Sequence, residues 1–234
     1  MPVNKSLKAT SVFMYVCAAV MTVAYFYLDI TVTLRAHVRL AMLGVICALG
    51  YFSGLLLAKK ELKESAERIM KATFFAFFIL YVHLLLTLVL FDEYFGRNGF
   101  SAILNITWEE FVLHIKESLN LIPFKSLVCF FDGIADGSVS MRAFVINIFG
   151  NIAAFVPFAF FVPLLFKKVR SLGRFLIFIV CTVCAVEILQ LLLFTGLCDI
   201  DDLILNSLGA SVAYALLHMK FIKPIVEKIT LIKY

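Results

Sequence analysis

Three carboxylates crowd into four residues at Asp199, Asp201 and Asp202, directly ahead of an apolar stretch that carries Asn206 one turn further on. Like charges this close raise each other's pKa unless a cation, a basic partner or open water relieves them. Carboxylate and amide oxygens are hard donors, so this set suits a divalent cation such as Mg²⁺ better than zinc. Glu187 and Gln190 stand three apart in the preceding apolar run and share a helical face, while Asn147 and Asn151, like Asp202 and Asn206, repeat at i,i+4. An ionisable group inside an apolar span marks function by default, because hydrocarbon penalises charge by at least a few kcal/mol. The candidate catalytic groups are therefore Glu187, Asp199, Asp201 and Asp202, with Asp199, Asp201 and Asp202 as candidate metal ligands. Asn147, Asn151, Gln190 and Asn206 are the candidate ligand-binding amides. Each has a plainer reading. Asn and Gln in membrane helices often serve only as interhelical hydrogen bonds, and an Asp at a helix start caps it. One Asp suffices for a cap; three argue for more.

The elements that position these residues follow from composition. Of 234 residues 63% are apolar and 16% charged, with 25 Phe, against roughly 25% charged in a soluble domain. One soluble core could not hide that much apolar surface, so the chain is expected to be an all-α, polytopic bundle of about six transmembrane helices in the cell membrane. The apolar runs lie at roughly 11–30, 38–58, 72–91, 143–166, 175–194 and 202–219. The first is read as a retained helix and not a signal peptide, since no small-residue cleavage pattern follows it.

Charge sets the orientation. Lys5, Lys8, Lys59, Lys60, Lys63, Arg68, Lys71, Lys167, Lys168, Arg170, Arg174, Lys220, Lys223, Lys228 and Lys233 fall on one side if every run spans, which is 15 of 21 basic residues. The other six are Arg35, Arg39, Arg97, Lys116, Lys125 and Arg142. Short basic loops stay cytoplasmic, so both termini are placed inside and the aspartates outside. The net charge of +5 is thus read by position and not as a nucleic-acid signal. Residues 1–71 form an N-terminal two-helix hairpin with a charged cytoplasmic loop, residues 72–219 a membrane domain, and residues 220–234 a basic cytoplasmic tail. In the loop, Glu64 and Arg68 have the i,i+4 spacing of an ion pair.

Within the long outer segment Asp92–Arg142, Trp108–Leu121 has the amphipathic spacing of a short helix lying on the membrane surface or capping the bundle. Asp132–Ser138 reads as a turn-rich loop. Pro157 should kink the fourth span just below Asn151, and Asn206, Gly209, Ala210 and Ala213 give the sixth a small-residue face for close approach. Glu187, Asn151 and Asn206 all fall in the outer half of their helices, which points to one outward-facing polar pocket. His83 is expected to be a hydrogen-bonded core histidine. The Cys181–Cys184 C-x-x-C lies in an apolar helix and reads as packing, and Cys129 and Cys198 could pair on the outer side. No Walker loop, zinc-protease helix or serine elbow is present.

Five motifs in order and spacing resemble the VanZ-like family of bacterial membrane proteins: Asn120–Phe124; Asn147–Asn151; Phe155–Phe158 with Pro163; Glu187–Gln190; and Asp199–Asp202 through Asn206 and Gly209. Two departures stand out. Ala159 occupies a place where the family often has Gly, and Thr195–Cys198 lacks an Arg that many members carry before the aspartates. The resemblance implies an envelope protein linked to resistance to the glycopeptide teicoplanin, with a membrane lipid or lipid-like amphiphile as partner. Two other classes stay open. One is an intramembrane enzyme acting on a lipid-linked precursor, with Glu187 as general base and the aspartates holding the cation. The other is a small transporter, for which no inverted repeat is visible.

The orientation is directly testable. With single cysteines placed by Ser65→Cys and Ser138→Cys in an otherwise cysteine-free chain, an impermeant thiol reagent on intact cells should label only the Ser138→Cys chain. Labelling of Ser65→Cys alone reverses the topology.

Overall fold

The structure, a computed structural model, describes residues 5–32, 34–59, 61–91 and 106–234. Among these, six helices are long and apolar enough to cross a membrane: Ser6–Val32, Ala36–Ala58, Lys63–Phe91, Met141–Leu165, Leu172–Leu192 and Ile200–Leu217. They coincide with the six apolar runs, and the chain is an all-α polytopic membrane protein. Lys60, Arg97 and the first part of the outer segment lie outside the described residues. Two compact units are present: Met1–Leu84 with Pro224–Tyr234, and Leu85–Lys223.

The first unit contains α1 (Lys5–Val32), α2 (Ala36–Ala58), most of α3 (Lys63–Leu86) and α10 (Lys223–Thr230). Polar pairs stitch the apolar helices, because an unpaired hydroxyl in hydrocarbon is costly. Ser11 and Ser53 each donate to the other's backbone carbonyl, at 2.9 and 2.6 Å, and Tyr15 meets Thr73 at 2.7 Å. Arg39 donates to Asp29 at 2.6 Å with both side chains almost fully buried, and His83 meets the second Asp29 oxygen at 3.2 Å. His83 is thus hydrogen-bonded as expected, but only partly buried. The charged connection is mostly the start of α3, and its ion pair is Glu67 with Lys71 at 2.6 Å. The Arg68 expected to meet Glu64 donates instead to Ser65, a hydroxyl one turn back and nearer than the carboxylate.

The second unit runs from a π-helical turn, Thr87–Phe91, through α4 (Trp108–Ser118), β1 (Leu119–Asn120), α5 (Lys125–Ala135), α6 (Met141–Ala154), α7 (Val156–Leu165), α8 (Leu172–Leu192), β2 (Cys198–Asp199) and α9 (Ile200–Leu217). Three findings differ from the sequence reading. The fourth span is two helices, broken at Phe155 (φ −103°, ψ 2°), which places Pro157 in the first turn of α7 where its missing N–H does no harm. Asp132 to Ala135 are the last turn of a helix, so only Asp136, Gly137 and Ser138 turn the chain. Leu119 and Asn120 pair in parallel with Cys198 and Asp199, a link that two-residue strands do not announce.

α9 is the hub of this unit and packs on α6, α7 and α8. Its buried stripe is Leu205, Asn206, Gly209, Ala210, Ala213 and Tyr214. The approach to α6 is limiting at Gly209, where an added Cβ would stand 1.9 Å from the Ile152 carbonyl oxygen. That atom is backbone and cannot swing aside. At the far end of α9, Tyr214 donates to the Arg170 carbonyl and stacks on Phe175 at 4.6 Å.

Gly209→Ala should therefore push α9 off α6 and cost about 1–3 kcal/mol, the range of overpacked cores. Gly150→Ala is the control, since nothing lies within 4 Å of its added Cβ. Thermal unfolding of the purified protein in detergent should show a lowered midpoint for the first and none for the second.

Candidate functional site

The site is built from two connections that meet at the head of α9. The first begins with α4, which a capping box starts: the Thr107 hydroxyl accepts from the Glu110 N–H, and the Glu110 carboxylate accepts from the Thr107 N–H at 2.9 Å. The Thr107 backbone and hydroxyl together hold the Glu110 carboxyl below the usual carboxylate range. α4 then docks on the end of α8. His114 Nε2 donates to the Leu191 carbonyl at 3.1 Å and the Ser118 hydroxyl donates to Nδ1 at 3.0 Å. A carbonyl can only accept, so Nε2 carries the hydrogen in this contact.

That docking explains an unusual helix end. α8 closes with Thr195 N–H on the Gln190 carbonyl at 3.0 Å and Phe194 N–H on the Leu191 carbonyl at 3.3 Å. This is the Schellman pattern, whose left-handed position is usually Gly. Here Phe194 occupies it at φ 57°, at a cost of roughly 1–2 kcal/mol for a residue with a Cβ. Its ring stacks on His114 at 3.9 Å, so an aromatic contact offsets the backbone strain.

Beyond α4, β1 brings Asn120 beside Asp199, and the aspartates divide the work. Asp199 caps α9: its Oδ1 accepts from the Asp201 N–H at 2.9 Å and from Asn120 Nδ2 at 3.0 Å, and its Oδ2 accepts from the Ser126 hydroxyl. Its own N–H donates to Glu187 Oε2 at 3.1 Å. Asp201, 1% exposed, caps a different helix. Its two oxygens accept from Phe124 N–H and Leu127 N–H, the first turn of α5, which has no side-chain cap of its own. Phe124 takes the left-handed conformation there, φ 66°. A carboxylate from the first turn of α9 thus caps the N-terminus of α5. Asp202 Oδ1 accepts from Asn151 Nδ2, and Asn206 Nδ2 donates to the Asp202 carbonyl at 2.7 Å.

The expected residues are therefore placed unequally. Glu187, Asn151, Asn206 and the three aspartates meet around the first turn of α9. Gln190, although it shares a face with Glu187, donates to the Val89 carbonyl of the π-helical turn at 3.3 Å. Asn147, one turn from Asn151 on α6, is half-buried and is not among the hydrogen-bond partners of the cluster. Sequence reasoning missed Asn120, Ser126, His114 and Ser118, of which only Asn120 fell in a motif already singled out. Two buried groups in the site hold open capacity: the Asn206 Oδ1 and the Ser207 hydroxyl have no hydrogen-bond partner among the described residues.

Among the described residues no three His, Cys, Asp or Glu side chains are arranged to hold a metal ion. Asp199 and Asp201 are both engaged at the start of α5, and Asp202 is held by Asn151. Cys129 and Cys198 are free thiols, and burial first, then the charge of Glu187, pushes the Cys198 thiol up.

The division of labour predicts unequal responses to loss of charge. Asp201→Asn offers one acceptor to two N–H groups and turns an NH₂ against the other, so α5 should loosen by about 1–3 kcal/mol. Asp199→Asn can keep its oxygen on Asn120 and Asp201 while its NH₂ donates to Ser126, at a cost below about 1 kcal/mol. Hydrogen exchange should be faster in the Phe124–Leu127 amides of the first variant and little changed in the second.

No curated protein and no solved structure matches the chain. A family model described as VanZ/LLP1 matches residues 78–222, a stretch that holds each of the residues meeting at the head of α9. With more than half of its length matched, the chain belongs to the VanZ/LLP1 family.

Proposed function

We propose that this protein works in the bacterial cell envelope, where it contributes to resistance to glycopeptides of the teicoplanin type or handles envelope lipid. Its polar site at the head of α9 binds a membrane lipid or lipid-like amphiphile. The observation that carries the reading is the unfilled hydrogen-bonding capacity of Asn206 and Ser207, buried one turn below Asp202. A buried acceptor without a partner costs about 1–3 kcal/mol, and a ligand bearing hydroxyl or amide donors removes that cost. Asn151 on α6 holds Asp202 beside Asn206 and Ser207, and Asn147 stands one turn away on the same helix.

The metal-assisted enzyme has less support. Glu187, Asp199, Asp201 and Asp202 each accept hydrogen bonds from the protein, so a cation would compete with the caps of α5 and α9. No observation favours the transporter. In this reading residues 72–219 carry the activity, residues 1–71 are a two-helix transmembrane hairpin with a charged cytoplasmic loop, and residues 220–234 are a cytoplasmic basic tail.

Charge and capping are separable at Asp202. Asp202→Asn retains an oxygen for Asn151 and removes the charge, so envelope protection should be lost at unchanged membrane abundance if that charge serves the ligand. Glu187→Gln should follow it if Glu187 also meets the ligand, and should be mild if it only braces Asp199. Survival under teicoplanin is the readout, with protein level measured in parallel. Full protection in both variants rejects the carboxylate site.

A further inference from the structure

α5 divides its surface three ways. Ser126, Leu127, Phe130, Gly133 and Ile134 turn toward the protein and are partly or fully covered. The exposed remainder is two parallel stripes with the same helical spacing. Phe124, Val128, Phe131 and Ala135 form an apolar one; Lys125, Cys129, Asp132 and Asp136 form a mostly charged one. A helix wholly in water has no reason to separate its exposed residues in this way, and a helix wholly in hydrocarbon would not carry Lys125, Asp132 and Asp136 outward.

The exposure is large: Phe124 is 56%, Val128 54% and Phe131 59% exposed, with Leu121 and Ile122 at 62% just before them. The stripe is also continuous with a surface whose solvent is known by composition. The Phe131 ring meets Phe144 of α6 at 5.0 Å. On α6 the neighbouring Met141, Val145 and Phe149 are exposed along one line of a membrane-spanning helix, where lipid is the medium.

We propose that α5 and the Leu121–Phe124 turn before it are an interfacial wedge. The apolar stripe sits among the acyl chains of the leaflet at the aspartate end, and the charged stripe faces headgroups and water. Asp201 sets the angle. By holding the Phe124 and Leu127 N–H groups it fixes the rotation of α5 about its axis, and hence which stripe points down. The inference does not depend on the ligand-binding reading, nor on which face of the membrane is outside.

The test uses the full-length protein in vesicles of phosphatidylcholine and phosphatidylglycerol. Trp108 is the one tryptophan, so Trp108→Phe gives a silent background into which Val128→Trp, Phe131→Trp or Asp132→Trp is placed. Tryptophan at 128 or 131 should emit to the blue and lose most of its intensity when the acyl chains are brominated near the headgroup. Tryptophan at 132 should emit to the red and be quenched by aqueous iodide. Two sites on the apolar stripe keep the test standing if one variant fails to fold, judged by elution identical to the parent. Equal iodide quenching at 128, 131 and 132 overturns the wedge, and so does equal bromine quenching at all three. Protection at 131 that disappears when the protein is diluted into excess lipid identifies a second copy of the chain as the occupant, and overturns it too.

Discussion

The second unit depends on how three aspartates at the head of one apolar helix find their hydrogen-bond donors. Each carboxylate accepts hydrogen bonds from N–H, amide or hydroxyl groups in another part of the chain. Asp199 draws in Asn120 and Ser126, Asp201 draws in the start of α5, and Asp202 draws in Asn151. The consequence is structural before it is functional. A sheet of two residues per strand, an uncapped helix and a transmembrane helix are all registered against a single turn. The plain reading of an aspartate as a helix cap and the sharper reading of a working site are both present, distributed over different residues.

Much of this was legible in the chain because membranes impose strong, simple rules. Length and apolarity alone locate six spans, since no other structure satisfies the backbone in hydrocarbon. Depth then placed Asn151, Asn206 and Glu187 at a common level, and the structure gathers them at the first turn of α9. Gln190 shows where this logic stops. Helical spacing says which residues share a face; it does not say which neighbour that face meets, and a freed carbonyl at Val89 claims the amide. α5 was hidden for a related reason: Asp132-Gly133 and Asp136-Gly137 resemble turns, while the cap that makes α5 a helix comes from a residue more than 70 positions away.

The left-handed phenylalanines were equally invisible. Glycine announces such a position, whereas Phe124 and Phe194 adopt it against their own preference. Both do so where a distant side chain compensates, Asp201 through a hydrogen bond and His114 through a stacked ring. Long-range contacts that override local preference are the class of information a single sequence withholds. They also lie at the ends of α5 and α8, where the site is assembled.

Asp201 has a further consequence for how the protein is made. The groups it holds, Phe124 and Leu127, precede it by 77 and 74 residues. A ribosome working at 5–20 residues per second separates their synthesis by ~4–15 s. During that interval the first turn of α5 lacks the carboxylate that caps it in the folded chain. The last span therefore acts as a latch: biogenesis of the connection ends only when α9 inserts, and a chain truncated before it leaves α5 unset.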